Sequence, residues 1–215
     1  MSADKTEKNV LLEKLATTFG VGKPFFISEV YETWPDYSQL AASNLLFSLL
    51  DENLVKRYDS QTFYIPKTLP SGETINLDPY SILERRYVTD GKNIYGYFLG
   101  EQLLYLVGII KTQPTKLIIV SDRIQSRTRP VSFEKYLCTV HRSKHKTTQD
   151  LANAHMVLSI LDQYDGPLTP EIKEKMTELF KGLDLKIAEL EKFLTRFPTS
   201  THQRLLDSGL SIELQ

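Results

Sequence analysis

The chain has 215 residues, of which 41% are hydrophobic and 25% charged, and its formal net charge is -1 at pH 7. This composition is ordinary for a globular protein, and the balanced charge gives no overall attraction to nucleic acid or membrane. No apolar run reaches the length of a membrane span, and the N-terminus lacks a signal-peptide core, so we expect a cytoplasmic protein. The single cysteine, Cys138, excludes an internal disulfide, and we expect it in a buried strand.

Two helices are predicted at the start of the chain. Apolar residues recur at helical spacing over residues 7–19, and Gly20 and Gly22 end that pattern. A second, short helix follows around residues 28–31 and ends near Trp34, because a proline disfavours a helical conformation in the residue before it. The expected apolar face of the first helix consists of Val10, Leu11, Leu12, Leu15 and Phe19.

The segment 38–66 predicts a longer helix followed by a two-stranded ribbon. Ser38 offers a side-chain oxygen at the helix start, and Asn53 tolerates the left-handed conformation that ends many helices. Residues 54–58 and 62–65 mix apolar and polar side chains on either side of a polar turn, as the strands of a hairpin do. The expected buried stripe of the helix consists of Ala42, Leu46, Leu49 and Leu50.

This order of elements matches the winged helix-turn-helix plan, in which the second helix of the motif enters the major groove. We therefore predict a winged helix-turn-helix DNA-binding domain over residues 1–68. Amide side chains pair with adenine, and basic side chains bind phosphate. The predicted contacts are Gln39, Ser43 and Asn44 on base edges, with Lys56 and Arg57 on the DNA backbone.

Charge argues against DNA binding. Up to residue 70, seven basic side chains stand against nine acidic ones, and the third helix carries no Lys or Arg. Because phosphate binding usually requires an excess of basic groups, one alternative is a winged-helix adaptor for protein contacts without specific DNA binding. Another is a small helical domain whose ribbon serves only packing.

Residues 67–77 contain Pro, Ser and Gly and break all periodicity, which predicts a boundary and a second domain over residues 77–215. The fold class is therefore predicted as α+β, with the winged helix-turn-helix followed by a small α+β domain that has a helical C-terminal region. Pro130 places one strand at a sheet edge. The expected elements are helices at 79–86 and 97–108 (with Gly100 inside the latter), strands at 116–120, 127–132 and 136–140, and later helices that include one starting at Thr169-Pro170, one at 184–196 and one around 203–206.

A basic segment runs from residue 123 to residue 146, and Glu134 is its sole acidic residue. Arg127 and Arg129 alternate in sequence, so they are expected on the same face of a strand. Such a patch binds nucleic acid or an acidic partner, whereas the alternative is a solvated strand edge that charge protects from aggregation. The residues assigned to a partner-binding or antitoxin surface are Arg127, Arg129, Arg142 and Lys144.

The sequence shows no catalytic pattern. The HExxH, Walker A, GxGxxG and GxSxG motifs do not occur. His141 and His145 are four residues apart, but Arg142, Lys144 and Lys146 lie among them and repel a divalent cation. We therefore expect a binding protein without enzymatic activity, metal site or cofactor.

Three stretches resemble a known family. The first stretch, LVKRYDSQTFYIP, corresponds to the wing of that family, which ends in an aromatic residue and proline. The second, IYGYFLGEQLLYLVGIIKTQP, is similar to the family's apolar helix, which leads into a Gly-Leu-Thr-x-Gln-x-Pro turn. VHRSKHKTTQDLANAHMVLSILD is similar to a basic strand end followed by a leucine-rich helix. On these motifs the chain resembles the AbiE-type abortive-infection antitoxin family and its winged-helix relatives. The resemblance implies a phage-defence antitoxin of the type IV class, which represses its operon at operator DNA and counters a nucleotidyltransferase-like toxin, with or without direct contact.

Overall fold

The structure is a computed structural model that describes residues 5–183 and 187–209. The chain divides into two compact units, Met1–Arg85 and Arg86–Gln215. Helices and strands occur in both units, so the predicted mixed α+β class is confirmed. The division lies after the predicted boundary segment, and residues 77–85, which we expected in the second domain, belong to the first unit.

The first unit alternates short helices and short strands. The segment up to residue 51 forms α1 (Lys5–Phe19), β1 (Pro24–Phe26), α2 (Ile27–Thr33) and α3 (Gln39–Asp51). The remainder forms β2 (Lys56–Arg57), β3 (Thr62–Tyr64), β4 (Lys67–Thr68), β5 (Thr74–Ile75) and α4 (Pro79–Tyr87), which reaches just past the division. The predicted helices over 7–19, 28–31 and 38–52 are thus confirmed within a few residues.

Three of these strands form one antiparallel sheet in the order β1-β3-β2. Tyr64 of the central strand pairs with Pro24 on one side and with Lys56 on the other. β1 was not predicted, because three residues are too few to show an alternating pattern. β4 and β5 pair as a separate two-stranded ribbon within residues 67–77, where a domain boundary was predicted.

A hydrophobic core joins the three helices to this sheet. Phe25 of β1 lies between two other rings, with centroid distances of 5.0 Å to Phe19 and 6.2 Å to Phe63. Leu11 and Leu15 are buried as predicted, but Val10 is 55% exposed, so its assignment to the apolar face was wrong. Leu11 and Leu15 are four residues apart and therefore share a helix face, whereas Val10 is rotated by about 100° from Leu11 around the helix axis.

The second unit begins with a four-stranded sheet that helices follow. Its elements are β6 (Gly96–Leu99), α5 (Glu101–Leu106), β7 (Lys116–Ser121), β8 (Thr128–Phe133), β9 (Tyr136–Arg142), α6 (Gln149–Gln163), α7 (Pro170–Gly182), α8 (Ile187–Leu194) and α9 (Thr199–Ser208). The strand order is β6-β7-β9-β8, with β7 and β9 parallel and the other pairs antiparallel. The three predicted strands are confirmed, and Pro130 lies in an edge strand as expected.

The predicted helix at 97–108 was wrong over its first third. Residues 96–99 form β6, which pairs with β7, and the helix starts only after Gly100. Gly100 has a φ of 72°, a conformation that side chains with a Cβ rarely adopt, so this residue separates the two elements. A short apolar run fits a buried strand as well as a helix, which explains the error.

The two faces of this sheet differ in burial. Leu117, Ile119, Cys138 and Val140 are buried on one face. Cys138 is 3% exposed, as expected for a buried strand residue, and burial raises the pKa of its thiol to about 11. On the opposite face Leu137 is 56% exposed.

Two of the helices after the sheet begin after threonine residues whose side chains cap them. Thr148 accepts a hydrogen bond from the backbone N–H of Leu151 at 3.3 Å, and Thr169 accepts one from Ile172 at 3.4 Å. Pro170 takes the first position of α7, as predicted. Of the helix expected at 184–196, residues 184–186 lie outside the described residues and α8 covers 187–194. No helix in the described part of the chain is long and apolar enough to cross a membrane.

Candidate nucleic-acid and partner-binding surfaces

α3 begins and ends at the residues that the sequence predicts. Ser38 precedes the helix and accepts a hydrogen bond from the backbone N–H of Ala41 at 3.2 Å. After the helix, Asn53 has a φ of 57°, the left-handed conformation that was predicted for it. Ala42, Leu46 and Leu49 are fully buried, whereas Leu50, the fourth predicted member of the stripe, is half-buried.

The opposite side of α3 is exposed. Leu40 is 73% exposed and Phe47 is 41% exposed, and Asn44 and Asp51 are exposed on the same side. These four positions follow helical spacing and lie across the helix from the buried stripe. Leu40 and Phe47 were not predicted as surface residues, because apolar side chains are usually buried, although their helical spacing could have identified them. We call these four residues, Leu40, Asn44, Phe47 and Asp51, the exposed α3 stripe.

The structure does not bring the three predicted base-contacting residues together. Asn44 belongs to the exposed α3 stripe. Gln39 is exposed, but it is rotated by about 140° from Asn44, since successive helical residues differ by about 100°. The Oγ of Ser43 lies 2.9 Å from the hydroxyl oxygen of Tyr31 on α2, within hydrogen-bond distance. Gln39 and Asn44 are therefore both exposed but on different sides of α3, and of the three residues only Asn44 belongs to the exposed α3 stripe.

The ribbon β2–β3 presents its two basic side chains differently. Arg57 is exposed, its Nε donates a hydrogen bond to the backbone carbonyl of Asp59 at 3.0 Å, and its guanidinium lies 5.9 Å from the centroid of the Phe63 ring. Lys56 is half-buried. Neighbouring strand residues point to opposite faces, so a single flat surface cannot contact both side chains equally.

The turn of this ribbon is stabilised by a carboxylate. Oδ1 of Asp59 accepts hydrogen bonds from the backbone N–H groups of Gln61 at 2.9 Å and Thr62 at 2.8 Å. An aspartate that bonds backbone groups two and three residues ahead is a common means of closing a tight turn. The predicted turn at 59–61 is thus confirmed, and Arg57 is held beside it.

In the second unit, four basic residues lie near one end of the sheet. Arg127, Arg129, Arg142 and Lys144 are all exposed, and we call this set the basic edge. The backbone N–H of Arg142 donates to the carbonyl of Arg127 at 3.0 Å, so these two residues are opposite each other on neighbouring chain segments. Arg129 is a residue of β8, whereas Arg127 directly precedes this strand, so their expected position on the same strand face stays a prediction.

The neighbouring side chains limit what the basic edge can do. Nη1 of Arg142 donates to the backbone carbonyl of Gln125 at 3.2 Å, which orients this guanidinium towards the segment between β7 and β8. The guanidinium carbon of Arg123 lies 3.5 Å from the centroid of the Tyr95 ring, so this arginine also has an intramolecular partner. Arg127, Arg129 and Lys144 are thus better placed than Arg142 to contact a separate molecule.

The two histidines with i, i+4 spacing do not lie on a helix. His141 is a residue of β9, and its Nδ1 lies 3.2 Å from Oγ1 of Thr128 on β8. His145 follows the strand and is exposed. Among the residues whose positions the structure gives, no group of three or more His, Cys, Asp or Glu side chains is arranged to hold a metal ion.

A histidine that the sequence analysis did not single out lies among aromatic rings. The ring of His155 on α6 stacks on Tyr97 at a centroid distance of 5.0 Å, and the rings of Phe193 and Phe197 lie within 5.7 Å. Burial, and then the positive charge of Arg196, lower the pKa of His155 to about 4. Burial likewise raises the pKa of Tyr97 to about 12. Both rings are therefore uncharged at neutral pH and serve the packing of the helices against β6.

The chain matches no protein-family model, and no curated protein matches it at a significant level.

Proposed function

We propose that this chain is a type IV antitoxin that represses its own operon, with a winged helix-turn-helix in the first unit and a toxin-neutralising second unit. The observation that carries the DNA-binding part is the order of elements α1-β1-α2-α3-β2-β3 together with the sheet order β1-β3-β2. A pair of helices followed by an antiparallel ribbon is the arrangement that places a helix in the major groove and a wing beside it. The antitoxin part rests on the resemblance in sequence.

The positions of the basic residues and of Asn44 support separate roles in phosphate contact and in base contact within the first unit. Lys56 and Arg57 belong to the ribbon, where a wing contacts the sugar-phosphate backbone, and Asn44 faces outward from α3, where base edges are read. Phosphate contacts fix orientation and base contacts give specificity. Because few basic groups are present, affinity for a single half-site should be modest, and two copies on adjacent half-sites should bind more tightly.

The basic edge supports a partner-binding role for the second unit. No acidic residue occurs in β7, β8 or β9, so the positive charge of this edge is not neutralised within the strands. An acidic surface on a toxin, or the nucleic acid on which a nucleotidyltransferase acts, would complement it. The proposal does not require the antitoxin and the toxin to touch, because competition for a shared nucleic acid would also neutralise the toxin.

Fluorescence anisotropy tests the DNA-binding part. A labelled duplex from the region upstream of the gene is titrated with the full-length protein at several salt concentrations, and a scrambled duplex of equal composition is the control. We expect tighter binding to the native duplex and an affinity that falls with salt. Equal affinity for the two duplexes would show that the first unit is not a sequence-specific DNA reader.

Co-expression tests the antitoxin part. Full-length protein and residues 86–215 are each expressed with the nucleotidyltransferase-like protein encoded beside the gene, and growth is measured. We expect both to restore growth, because the second unit is compact by itself. If full-length protein fails to restore growth, the antitoxin role is wrong; if only the soluble fragment fails, the first unit is required for neutralisation.

A second function, protein interaction without specific DNA binding, is favoured by one observation. The exposed α3 stripe contains two apolar residues and a carboxylate, and no basic group occurs between Lys23 and Lys56. Exposed apolar groups on a helix often mark a protein contact. The anisotropy titration separates the two functions, since an adaptor would show no preference for its own upstream DNA.

A further inference from the structure

The exposed α3 stripe begins with three uncharged side chains. Leu40 and Phe47 are exposed, and Asn44 lies between them on the same side of the helix. Leu40 and Phe47 are seven residue steps apart, about 10 Å along the helix axis, which corresponds to roughly three base pairs of B-DNA. One helix of this length therefore presents an amide and two apolar groups over a short run of bases.

Base pairs differ in the groups that they present in the major groove. Thymine offers a methyl group, adenine offers a donor and an acceptor that an amide side chain binds together, and guanine is most often bound by Arg or Lys. Asn44 has the chemistry for adenine, and Leu40 and Phe47 have the chemistry for thymine methyl groups. Residues 24–55 contain no Lys or Arg, so neither α2 nor α3 supplies a guanine-binding group.

The carboxylate of the stripe does not change this preference. Asp51 lies 11 residues after Leu40, about 16 Å along the axis and at the C-terminal end of α3. In helix-turn-helix proteins the N-terminal residues of the recognition helix contact the base edges. A negative charge at the other end is repelled by phosphate, so it favours an orientation in which the segment from Leu40 to Phe47 lies deeper in the groove than Asp51 does.

We infer that α3 recognises an A·T-rich half-site, with Asn44 on an adenine and Leu40 and Phe47 against thymine methyl groups. The inference rests on the proposed DNA-binding function and specifies the class of base pair that this function leaves open. Lys56 and Arg57 contribute affinity through phosphate and are indifferent to base identity.

Selection from a random duplex library gives the first test. Full-length protein is mixed with the library, bound duplexes are recovered over several rounds, and the recovered sequences are compared with the input. We expect enrichment of A·T over G·C pairs within the half-site. Enrichment of G·C-rich half-sites would overturn the inference while leaving DNA binding itself intact.

Removal of the thymine methyl group gives a second, sharper test. Deoxyuridine replaces thymine in the selected duplex, which leaves its hydrogen-bonding groups unchanged. We expect wild-type affinity to fall by about fourfold for each contacted methyl group. Leu40→Ala and Phe47→Ala should reduce this sensitivity, and the control Leu206→Ala, which removes a 62% exposed leucine of the second unit, should retain it.

The adenine contact is tested in the same way. Replacement of adenine by 7-deazaadenine removes the N7 acceptor, and we expect it to weaken wild-type binding but to have little further effect in Asn44→Ala. Asn44→Ala alone should lose roughly 5- to 150-fold on the selected duplex and little on a random one. Circular dichroism and thermal melting verify that each variant is folded.

The outcomes separate this inference from the function on which it rests. Wild-type protein that binds the selected duplex but tolerates both base analogues overturns the A·T assignment alone. Wild-type protein that enriches no sequence overturns DNA recognition as well, and it leaves the exposed α3 stripe as a protein-binding surface.

Discussion

The hydroxyl oxygen of Tyr31 lies 2.9 Å from Oγ of Ser43, and this contact links α2 to α3. Both side chains are half-buried, so the hydrogen bond is partly shielded from water. Ser43 was predicted to contact a base, but its hydroxyl is engaged within the protein. The contact fixes α2 against α3, and Ser43 therefore supports the position of α3.

Replacement of this hydroxyl should affect stability more than base preference. Ser43→Ala is expected to lower the free energy of unfolding by about 1 kcal/mol, because the Tyr31 hydroxyl loses its partner in a partly buried position. Urea unfolding measures the change. Tyr31→Phe should cost a similar amount, and the double variant should cost less than the sum of the two. A normal unfolding free energy combined with altered base preference would instead restore the original assignment of Ser43.

The two basic residues of the ribbon should differ in their effect on salt dependence. Arg57→Ala is expected to reduce the slope of log affinity against log salt by about 0.9, the value for one lost phosphate contact. Lys56→Ala should change the slope less, because this side chain is half-buried and points to the other face. Anisotropy titrations at four salt concentrations measure both slopes. The control is Lys111→Ala, which removes an exposed charge from the second unit; a slope for Arg57→Ala no different from this control would contradict the wing assignment.

Charge removal at the basic edge should weaken neutralisation. The triple variant Arg127→Ala, Arg129→Ala and Lys144→Ala leaves Arg142 in place, because that residue bonds the backbone of Gln125. We expect the protein to remain folded, since exposed substitutions usually change stability by about 0.5 kcal/mol or less, and we expect reduced growth in the co-expression assay.

A matched control separates the position of these charges from their number. Its substitutions remove three other exposed charges of the second unit, at Lys92, Lys111 and Lys192. If both triple variants restore growth fully, the basic edge has no role in neutralisation and is only a solvated strand edge.

His155 should make stability depend on pH. Its pKa is about 4 in the folded protein, below the usual value of about 6.5 for an unfolded chain, because of burial and the charge of Arg196. The unfolded state therefore binds more protons between these values, so the stabilisation is present above about pH 6.5 and is lost as the pH falls towards 4. A pKa difference of one between the folded and unfolded states corresponds to about 1.4 kcal/mol in the free energy of unfolding. The loss of stability at His155 should be smaller than this relation gives, because the ring is only half-buried and solvent screens it.

Thermal melts at pH 7.5 and pH 5 test this dependence. His155→Phe keeps an aromatic ring next to Tyr97 and removes the titrating group, so its melting temperature should fall less on acidification than that of the wild type. His145→Phe, at an exposed position, is the control and should behave as the wild type does. If the melting temperatures of His155→Phe and wild type fall equally on acidification, other titrating groups determine the pH dependence of stability.

Features that depend on a few neighbouring residues could be predicted from the sequence. The cap at Ser38 and the left-handed Asn53 depend on local backbone chemistry, and Pro130 at an edge depends on its missing N–H group. The start of α7 at Thr169 and Pro170 is predictable for the same reason. Each of these residues restricts the conformation of its own segment, whatever packs around it.

Features that depend on distant contacts could not be predicted. β1 is a strand because β3, which lies almost forty residues away, pairs with it. Residues 96–99 form a strand because β7 pairs with them, although their apolar character suits a helix equally well. The hydrogen bond of Ser43 could not be predicted, because its partner, Tyr31, is on another helix. The bounds of α3 could be predicted from the sequence, but the identity of its outward-facing residues depended on packing.

The buried Cys138 supplies a reporter of sheet opening. It is the sole cysteine of the chain, it lies in β9 between β7 and β8, and burial raises the pKa of its thiol to about 11. The thiolate is the form that alkylating reagents attack, so the native protein should react slowly at neutral pH. Alkylation should therefore proceed through molecules in which the sheet has transiently separated, and its rate would measure how often that happens. A bound toxin or nucleic acid that slowed this rate would be detected without any added label.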